Sequence, residues 1–116
     1  MSAPTVVRLD VYRSVQQDEH SCGAHCVYAV FRYYGRKNTQ ESILQRLHNP
    51  DGLDSLTLRT FLEKSGFVAQ KMFEPTVEKL RQQIRKGHLV LVCLDGDHWA
   101  LVTGYGKECI YVMDPS

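Results

Sequence analysis

The pattern of hydrophobic and polar residues divides the chain into a helical first part and a strand-rich last third. Four segments place apolar residues at helical spacing, and short apolar or alternating runs bounded by turn residues predict strands. The predicted helices begin at Cys22, Asn38, Ser55 and Thr76, and they end at Gly35, Asn49, Gly66 and Gly87. The predicted strands cover residues 5–12, 67–73, 89–94, 98–105 and 109–113.

Several local signals mark the ends of these elements. Ser21 is a candidate N-cap of the first helix, and Gly35 suits the left-handed position that ends it. Asn38, with Glu41 three residues later, has the spacing of a capping box. The wholly apolar run 89–94 predicts a central strand that is buried on both faces, and Asp-Gly-Asp at 95–97 predicts a hairpin turn after it.

The order of the predicted elements indicates the fold class. Helices come first and an antiparallel meander follows, which is the arrangement of an α+β fold rather than a wound α/β sheet. A chain of 116 residues without repeats, low-complexity segments or a linker predicts a single domain over residues 1–116.

Composition and charge exclude several classes of partner. The 14 basic and 13 acidic residues leave a net charge of +1, which gives no reason to expect nucleic acid or an anionic membrane. The longest apolar run is far too short to span a bilayer, and the N-terminus lacks the regions of a signal peptide. We therefore expect a cytoplasmic protein whose four cysteines are reduced.

Cys22 is the first candidate for chemistry because it opens a predicted helix. The unpaired N–H groups and the positive end of the helix dipole favour a thiolate there, and the thiolate is the nucleophilic form. The structural alternative is a small apolar core residue, which is the commoner role of a cysteine.

His98 and Asp114 are the candidates that complement Cys22. His98 begins a predicted strand, and Asp114 follows the end of the next strand, so antiparallel pairing brings them together. Asp114 then accepts a hydrogen bond from the imidazole and sets its tautomer. Taken singly, the histidine is typical of a surface position and Asp114-Pro115 of a turn. Together with Cys22 they form a nucleophile, a base and an orienting group.

The same residues carry a resemblance to a known family. The matching positions are Gln16, Asp18-Glu19, Cys22-Gly23-Ala24, Tyr33-Tyr34-Gly35, the run Asp97-His98-Trp99-Ala100-Leu101-Val102, and Asp114-Pro115. In this order they resemble the bacteriocin-processing cysteine peptidases that remove double-glycine leaders, which belong to the papain-like superfamily. The similarity extends from about Val11 to Ser116 and implies a papain-like arrangement of helices packed on an antiparallel sheet.

The resemblance also implies roles for individual residues. Cys22 corresponds to the nucleophile, His98 to the base and acid, and Asp114 to the orienting residue. Gln16 corresponds to the glutamine of the oxyanion hole, with Gln17 as the adjacent alternative. Relatives normally continue with further sheet after the aspartate, so either a C-terminally shortened domain or a minimal variant of the domain is expected. Many relatives are the front domain of an exporter, which makes an exporter an expected partner.

The predicted function is hydrolysis of a peptide bond in a peptide or protein substrate, by a monomer that needs no cofactor. Three alternatives remain open. The same three residues suit acyl transfer or amidase chemistry, and the domain can also be a non-catalytic peptide-binding module. Zinc binding by Cys22, His25 and Cys26 is the third, although these positions lack the paired spacing of a structural site. Otherwise His25 is expected to be exposed and Cys26 packed.

Overall fold

The computed structural model describes residues 6–16, 21–94 and 98–116. Four helices and four strands are formed within these residues. In chain order they are β1 (Val7–Arg8), α1 (Cys22–Tyr33), α2 (Gln40–Arg46), α3 (Ser55–Lys64), α4 (Val77–Arg85), β2 (Val90–Leu94), β3 (His98–Tyr105) and β4 (Ile110–Met113). The predicted α+β class is confirmed, with the helices preceding an antiparallel meander of β2, β3 and β4.

Strand β3 organises the sheet, because β1, β2 and β4 all pair with it in antiparallel orientation. The pairing of β3 with β4 shifts register between Val102 and Gly104, where β1 also approaches the strand. A Cβ atom on Gly104 would lie 2.5 Å from the carbonyl oxygen of Val7. Glycine at this position therefore permits the close approach of the two backbones.

The helices form two layers, one on each face of the sheet. The larger core lies between α1, α2 and α3 and the face of β3 that carries Trp99 and Leu101. The smaller core lies on the other face, where Ile84 of α4 packs against Val102 and Tyr105. Since successive side chains of a strand point to opposite faces, β3 contributes to both cores and is almost wholly buried.

The ends of α1 largely follow the sequence signals. Ser21 occupies the N-cap position and its carbonyl accepts from the His25 N–H at 2.9 Å, although its side chain makes no capping bond. At the other end Gly35 has φ of +74° and donates to the carbonyl of Arg32. Arg36 donates to the carbonyl of Phe31, which completes a Schellman motif.

The start of the second helix differs from the prediction. Thr39, and not Asn38, is its N-cap, and the Thr39 hydroxyl accepts a hydrogen bond from the Ser42 N–H at 3.1 Å. Both residue types are good caps, so sequence preference alone does not distinguish two neighbours. The backbone conformation determines which residue is the cap. Thr39 has the extended conformation from which its side chain reaches the N–H of Ser42.

Two predictions for strands are wrong and one is only partly right. Residues 67–73 form no strand; Phe67 packs on Phe31 instead, with ring centroids 5.1 Å apart, while Val68 is 88% exposed. Phe67 and Ala69 pack against the larger core instead of pairing in a sheet. Strand β2 is not central, because it pairs only with β3 among the described strands, although its apolar residues do face both cores.

The first strand is the partly correct case, since it spans only Val7–Arg8 of the predicted 5–12. The hairpin turn predicted at 95–97 lies outside the described residues. Among the described residues, no helix combines the length and apolarity required to cross a membrane.

Candidate active site

Cys22 is the first residue of α1, as predicted, and its side chain is only 5% exposed. Its sulfur accepts a hydrogen bond from the backbone N–H of Trp99 at 3.4 Å. This contact brings the start of α1 against the first residues of β3. Cys22 is therefore in contact with Trp99, the residue that follows His98, although the two lie 77 positions apart in the chain.

His98 and Asp114 are joined as the strand pairing predicts. His98 begins β3, Asp114 follows the last residue of β4, and the two strands run antiparallel with Leu101 opposite Met113. The Nε2 atom of His98 lies 2.7 Å from Oδ1 of Asp114. A carboxylate at this position selects the tautomer with the proton on Nε2, which leaves Nδ1 to exchange protons with another group.

Asp114 is held by more than the histidine. Its Oδ1 also accepts from the backbone N–H of Ser116 at 3.0 Å and from the Ser116 hydroxyl at 2.8 Å. Burial raises the pKa of the Asp114 carboxyl, but the hydrogen bonds from Ser116 and His98 outweigh it and hold that pKa below its ordinary value. The carboxylate is therefore ionised at neutral pH and can stabilise an imidazolium.

The role of Ser116 was not recognised in the sequence. A signal was present, because an aspartate side chain often bonds the backbone two residues later in a turn, and Pro115 favours such a turn. The observed contacts from Ser116 N and Oγ fit that pattern. They hold the same Oδ1 atom that faces His98.

Gln16 lies close to the same group through its main chain. The Gln16 N–H donates to the carbonyl of Pro115 at 2.7 Å, so this residue is adjacent to the segment that carries Asp114. The side-chain oxygen of Gln16 is buried. The alternative residue Gln17 lies outside the described residues, as do residues 18–20.

Trp99 and Gly23, which the sequence offered only as positions of the family resemblance and without a role, support the start of α1. The indole N–H of Trp99 donates to the carbonyl of Leu53 at 2.8 Å, which fixes the ring beside α1. A Cβ atom on Gly23 would lie 3.2 Å from both Leu53 Cδ1 and Trp99 Cδ1. The glycine after Cys22 thus permits close packing of the helix start against these two side chains.

His25 corrects a prediction, since it is 2% exposed and not a surface residue. Its Nδ1 lies 2.5 Å from the hydroxyl oxygen of Ser14. The hydrogen bond with the Ser14 hydroxyl lowers the free-energy cost of burying this polar ring. Cys26, by contrast, is packed as expected, with no exposed surface.

The two cysteines of α1 differ in chemical environment. Burial, and to a smaller extent the proximity of Cys22 and Asp114, raises the pKa of the Cys26 thiol well above its ordinary value. Cys26 therefore stays a neutral thiol. No disulfide joins the four cysteines of the chain, and Cys93 and Cys109 are exposed on the sheet side.

The zinc alternative gains no support from the described part of the chain. Within residues 6–16, 21–94 and 98–116, no group of three or more histidine, cysteine, aspartate or glutamate side chains is arranged to hold a metal ion. The Nδ1 atom of His25 faces Ser14.

The arrangement can perform nucleophilic chemistry. A cysteine at a helix start, a histidine whose tautomer is set by a carboxylate, and backbone N–H groups near the sulfur are the components that acyl transfer from a peptide requires. Of the four residues singled out in the sequence, His98 and Asp114 are in direct contact, Cys22 contacts the residue after His98, and Gln16 contacts the residue after Asp114.

Comparison with known proteins gives one match. Neither the curated proteins nor the solved structures include a significant match to the chain. The family model described as the Peptidase C39 family matches residues 10–116, which is nearly the whole sequence. The resemblance drawn from the sequence is thereby confirmed, and the α+β architecture is consistent with the papain-like fold of that family. The chain belongs to the Peptidase C39 family, the bacteriocin-processing cysteine peptidases.

Proposed function

We propose that this chain hydrolyses a peptide bond in a peptide or protein substrate through Cys22, His98 and Asp114. Membership of a cysteine peptidase family supports the class of reaction. The assignment of these residues is supported mainly by the contact between three segments that are distant in the chain: the start of α1, the start of β3 and the residue after β4. The Cys22 sulfur is 3.4 Å from the Trp99 N–H, and the neighbouring His98 is 2.7 Å from Asp114.

The first half of the reaction forms a thioester. The proton of the Cys22 thiol passes to Nδ1 of His98, and the sulfur attacks the carbonyl carbon of the scissile peptide bond. A carbon–sulfur bond forms and the carbonyl oxygen becomes an oxyanion. The imidazolium, stabilised by the Asp114 carboxylate, then gives its proton to the leaving nitrogen as the carbon–nitrogen bond breaks.

The second half releases the product. The neutral imidazole of His98 takes a proton from water, and the resulting hydroxide attacks the thioester carbon. The carbon–sulfur bond breaks, the proton returns from His98 to the sulfur, and the free carboxylic acid leaves. Each step uses the same nitrogen, because Nε2 remains bonded to Asp114 throughout.

The oxyanion is assigned to donors at the start of α1. The backbone N–H of Cys22 is one of the first N–H groups of α1 and lies at the positive end of the helix dipole. Gln16 is proposed to supply the second donor from its side-chain amide. Removal of one such donor typically costs about 2.7–4 kcal/mol of transition-state stabilisation.

The substrate is assigned by class as an extended peptide segment. Within the family resemblance, this segment is a leader with small residues on the acyl side of the scissile bond, and leader removal is the biological form of the proposal. Cleavage of a peptide library would identify the sequence that is cut.

The proposal is tested by incubating the protein with a mixed peptide library and identifying products by mass spectrometry. Cys22→Ala and His98→Ala are each expected to reduce cleavage by more than about 1,000-fold, since both groups take part in every bond change. Cys93→Ala removes an exposed cysteine of β2 and serves as the matched control with unchanged cleavage. Cleavage that survives Cys22→Ala would falsify the proposal.

A second measurement reports on Cys22 without a substrate. Iodoacetamide at pH 6 is expected to label Cys22 faster than Cys93 or Cys109, even though Cys22 is the most buried of the three. An ordinary thiol with a pKa of about 8.5 is less than about 1% ionised at that pH. If all three cysteines behaved as ordinary thiols, exposure would decide the order, and Cys22 would be labelled last. His98→Ala is expected to slow labelling of Cys22 and leave Cys93 unchanged. Labelling in the order of exposure contradicts an activated sulfur.

A further inference from the structure

Two polar side chains that the proposed reaction does not use are buried beside the candidate site. Ser14 is 1% exposed and His25 is 2% exposed. The Ser14 Oγ atom and the His25 Nδ1 atom are 2.5 Å apart. Burial of polar groups costs free energy unless they are hydrogen-bonded, and this bond offsets part of that cost for both residues.

The bond connects the two parts of the chain on which Cys22 and Gln16 lie. His25 is three residues after Cys22, which is about one turn along α1. Ser14 is two residues before Gln16 in the segment that precedes the helix. This buried bond therefore ties the segment of Gln16 to the helical turn that starts with the candidate nucleophile.

Contacts on either side of Ser14 hold the rest of this segment. The Tyr12 ring meets the Tyr28 ring edge-on, with centroids 5.8 Å apart, and the Arg32 guanidinium lies 4.0 Å from the centre of the Tyr12 ring. At the other end, the Gln16 N–H donates to Pro115. Tyr12 is 44% exposed, whereas Ser14 and His25 are buried, so their bond is a buried attachment of this segment to α1.

We propose that Ser14 and His25 are positioning residues that set the location of the Gln16 amide relative to the Cys22 sulfur. This inference rests on the proposed function, in which Gln16 stabilises the oxyanion. The two residues act through Gln16 and do not touch the reacting atoms. A catalytic group must be placed to within a fraction of an ångström, and a shift of about 1 Å can reduce the rate about 100-fold.

The test compares three substitutions of the pair. Ser14→Ala removes the hydroxyl. His25→Asn places an amide atom near the position of Nδ1 and retains a partner for Ser14, whereas His25→Gln extends its amide towards the position of Nε2 and removes that partner. Ser14→Ala and His25→Gln are expected to lower kcat by about 10- to 100-fold with little change in KM, while His25→Asn keeps most of the activity.

Two further readouts separate positioning from loss of structure. Alkylation of Cys22 by iodoacetamide forms no oxyanion, so Ser14→Ala is expected to change its rate by less than about twofold. On a Gln16→Ala background, Ser14→Ala is expected to cause no further loss of kcat, because both changes remove the same interaction. Ile84→Val, in the core on the far side of the sheet, is the control for a mild loss of melting temperature, with unchanged kcat.

The outcomes distinguish this inference from the proposed function. If the wild-type protein cleaves no peptide, or Cys22→Ala cleaves as well as the wild type, both are overturned. If the wild type is active, the inference alone is overturned by any of three results. The first is a wild-type kcat for Ser14→Ala. The second is an equal loss of kcat from Ser14→Ala in the wild type and in Gln16→Ala. The third is a high kcat for His25→Gln together with a low kcat for His25→Asn.

Discussion

At the scale of single residues, the Asp114 carboxylate is the group whose environment is best defined. Its Oδ1 accepts from His98 Nε2, from the Ser116 N–H and from the Ser116 hydroxyl. Three donors on one oxygen favour the ionised form, and they offset the effect of partial burial on the pKa. The orientation of the imidazole therefore depends on an aspartate that is itself held by Ser116.

The first prediction concerns the pH dependence of stability. Because the pKa of Asp114 is lower in the folded chain than its ordinary value, the carboxylate stabilises the fold above the unfolded pKa of about 3.9. That contribution is lost as the pH falls through the folded pKa. The melting temperature of the wild type is thus expected to exceed that of Asp114→Asn at pH 6–7, and the difference is expected to shrink as the pH falls through the folded pKa.

The control for this prediction is Asp10→Asn, at an exposed carboxylate in the segment before α1. A surface substitution of this kind is expected to change stability by no more than about 0.5 kcal/mol. Thermal unfolding followed by circular dichroism from pH 2 to pH 8 provides the measurement. A difference between wild type and Asp114→Asn that is constant over this range would contradict the assigned hydrogen bonds.

At the scale of elements, the first turn of α1 is the part of the fold that most constrains the site. The turn begins at Cys22, and the next residue is a glycine enclosed by Leu53 and the Trp99 ring. Trp99 in turn contacts the sulfur through its N–H and the Leu53 carbonyl through its indole. Cys22, the rest of the helix start and the first residues of β3 therefore form one packed unit.

The second prediction follows from this packing. Alanine is normally favoured over glycine in a helix by about 0.5–1 kcal/mol. At Gly23, however, the added methyl group would meet two carbon atoms at 3.2 Å, and overpacking typically costs about 1–3 kcal/mol. Gly23→Ala is therefore expected to destabilise the fold by about 1 kcal/mol, as measured by urea unfolding.

A double substitution tests the cause of that loss. Leu53→Ala removes one of the two obstructing side chains, so adding Gly23→Ala to Leu53→Ala is expected to be neutral or stabilising. If Gly23→Ala costs the same free energy with leucine or alanine at position 53, crowding against Leu53 is not the reason for the glycine.

At the scale of the whole molecule, β3 connects the two cores and the site. Its first residue is His98, its second contacts Cys22, and its middle residues pack on both faces of the sheet. Leu101 has no exposed surface and lies between Leu91 of β2 and Met113 of β4. The strand that positions the candidate base is thus also, with α1, one of the two most deeply buried elements among the described residues.

The third prediction tests this central position. Leu101→Ala is expected to lower the free energy of unfolding by about 2–5 kcal/mol, because it removes a fully buried side chain and leaves a cavity. Leu56→Ala, on the exposed side of α3 with 71% exposure, is the matched control and is expected to cost no more than about 0.5 kcal/mol. Equal losses in urea unfolding would show that β3 is not the centre of the fold.

The sequence by itself determined the features that depend on neighbouring residues. The periodicity of apolar residues predicted all four helices and the last three strands, and Cys22 opens α1 as expected. The order of the elements predicted the α+β class, and the spacing of key residues indicated the family that the comparison confirms. Such signals are local because hydrogen bonding within a helix or turn involves residues only a few positions apart.

The tertiary structure decided whatever depends on contacts between distant residues. The Trp99–Cys22 bond joins residues 77 positions apart, and the Ser14–His25 bond lies in the interior although His25 was expected to be exposed. The central place of β3 and the absence of a strand at residues 67–73 likewise depend on which partners are within reach. An amino-acid pattern specifies which side chains favour burial, but only the folded chain determines which groups meet there.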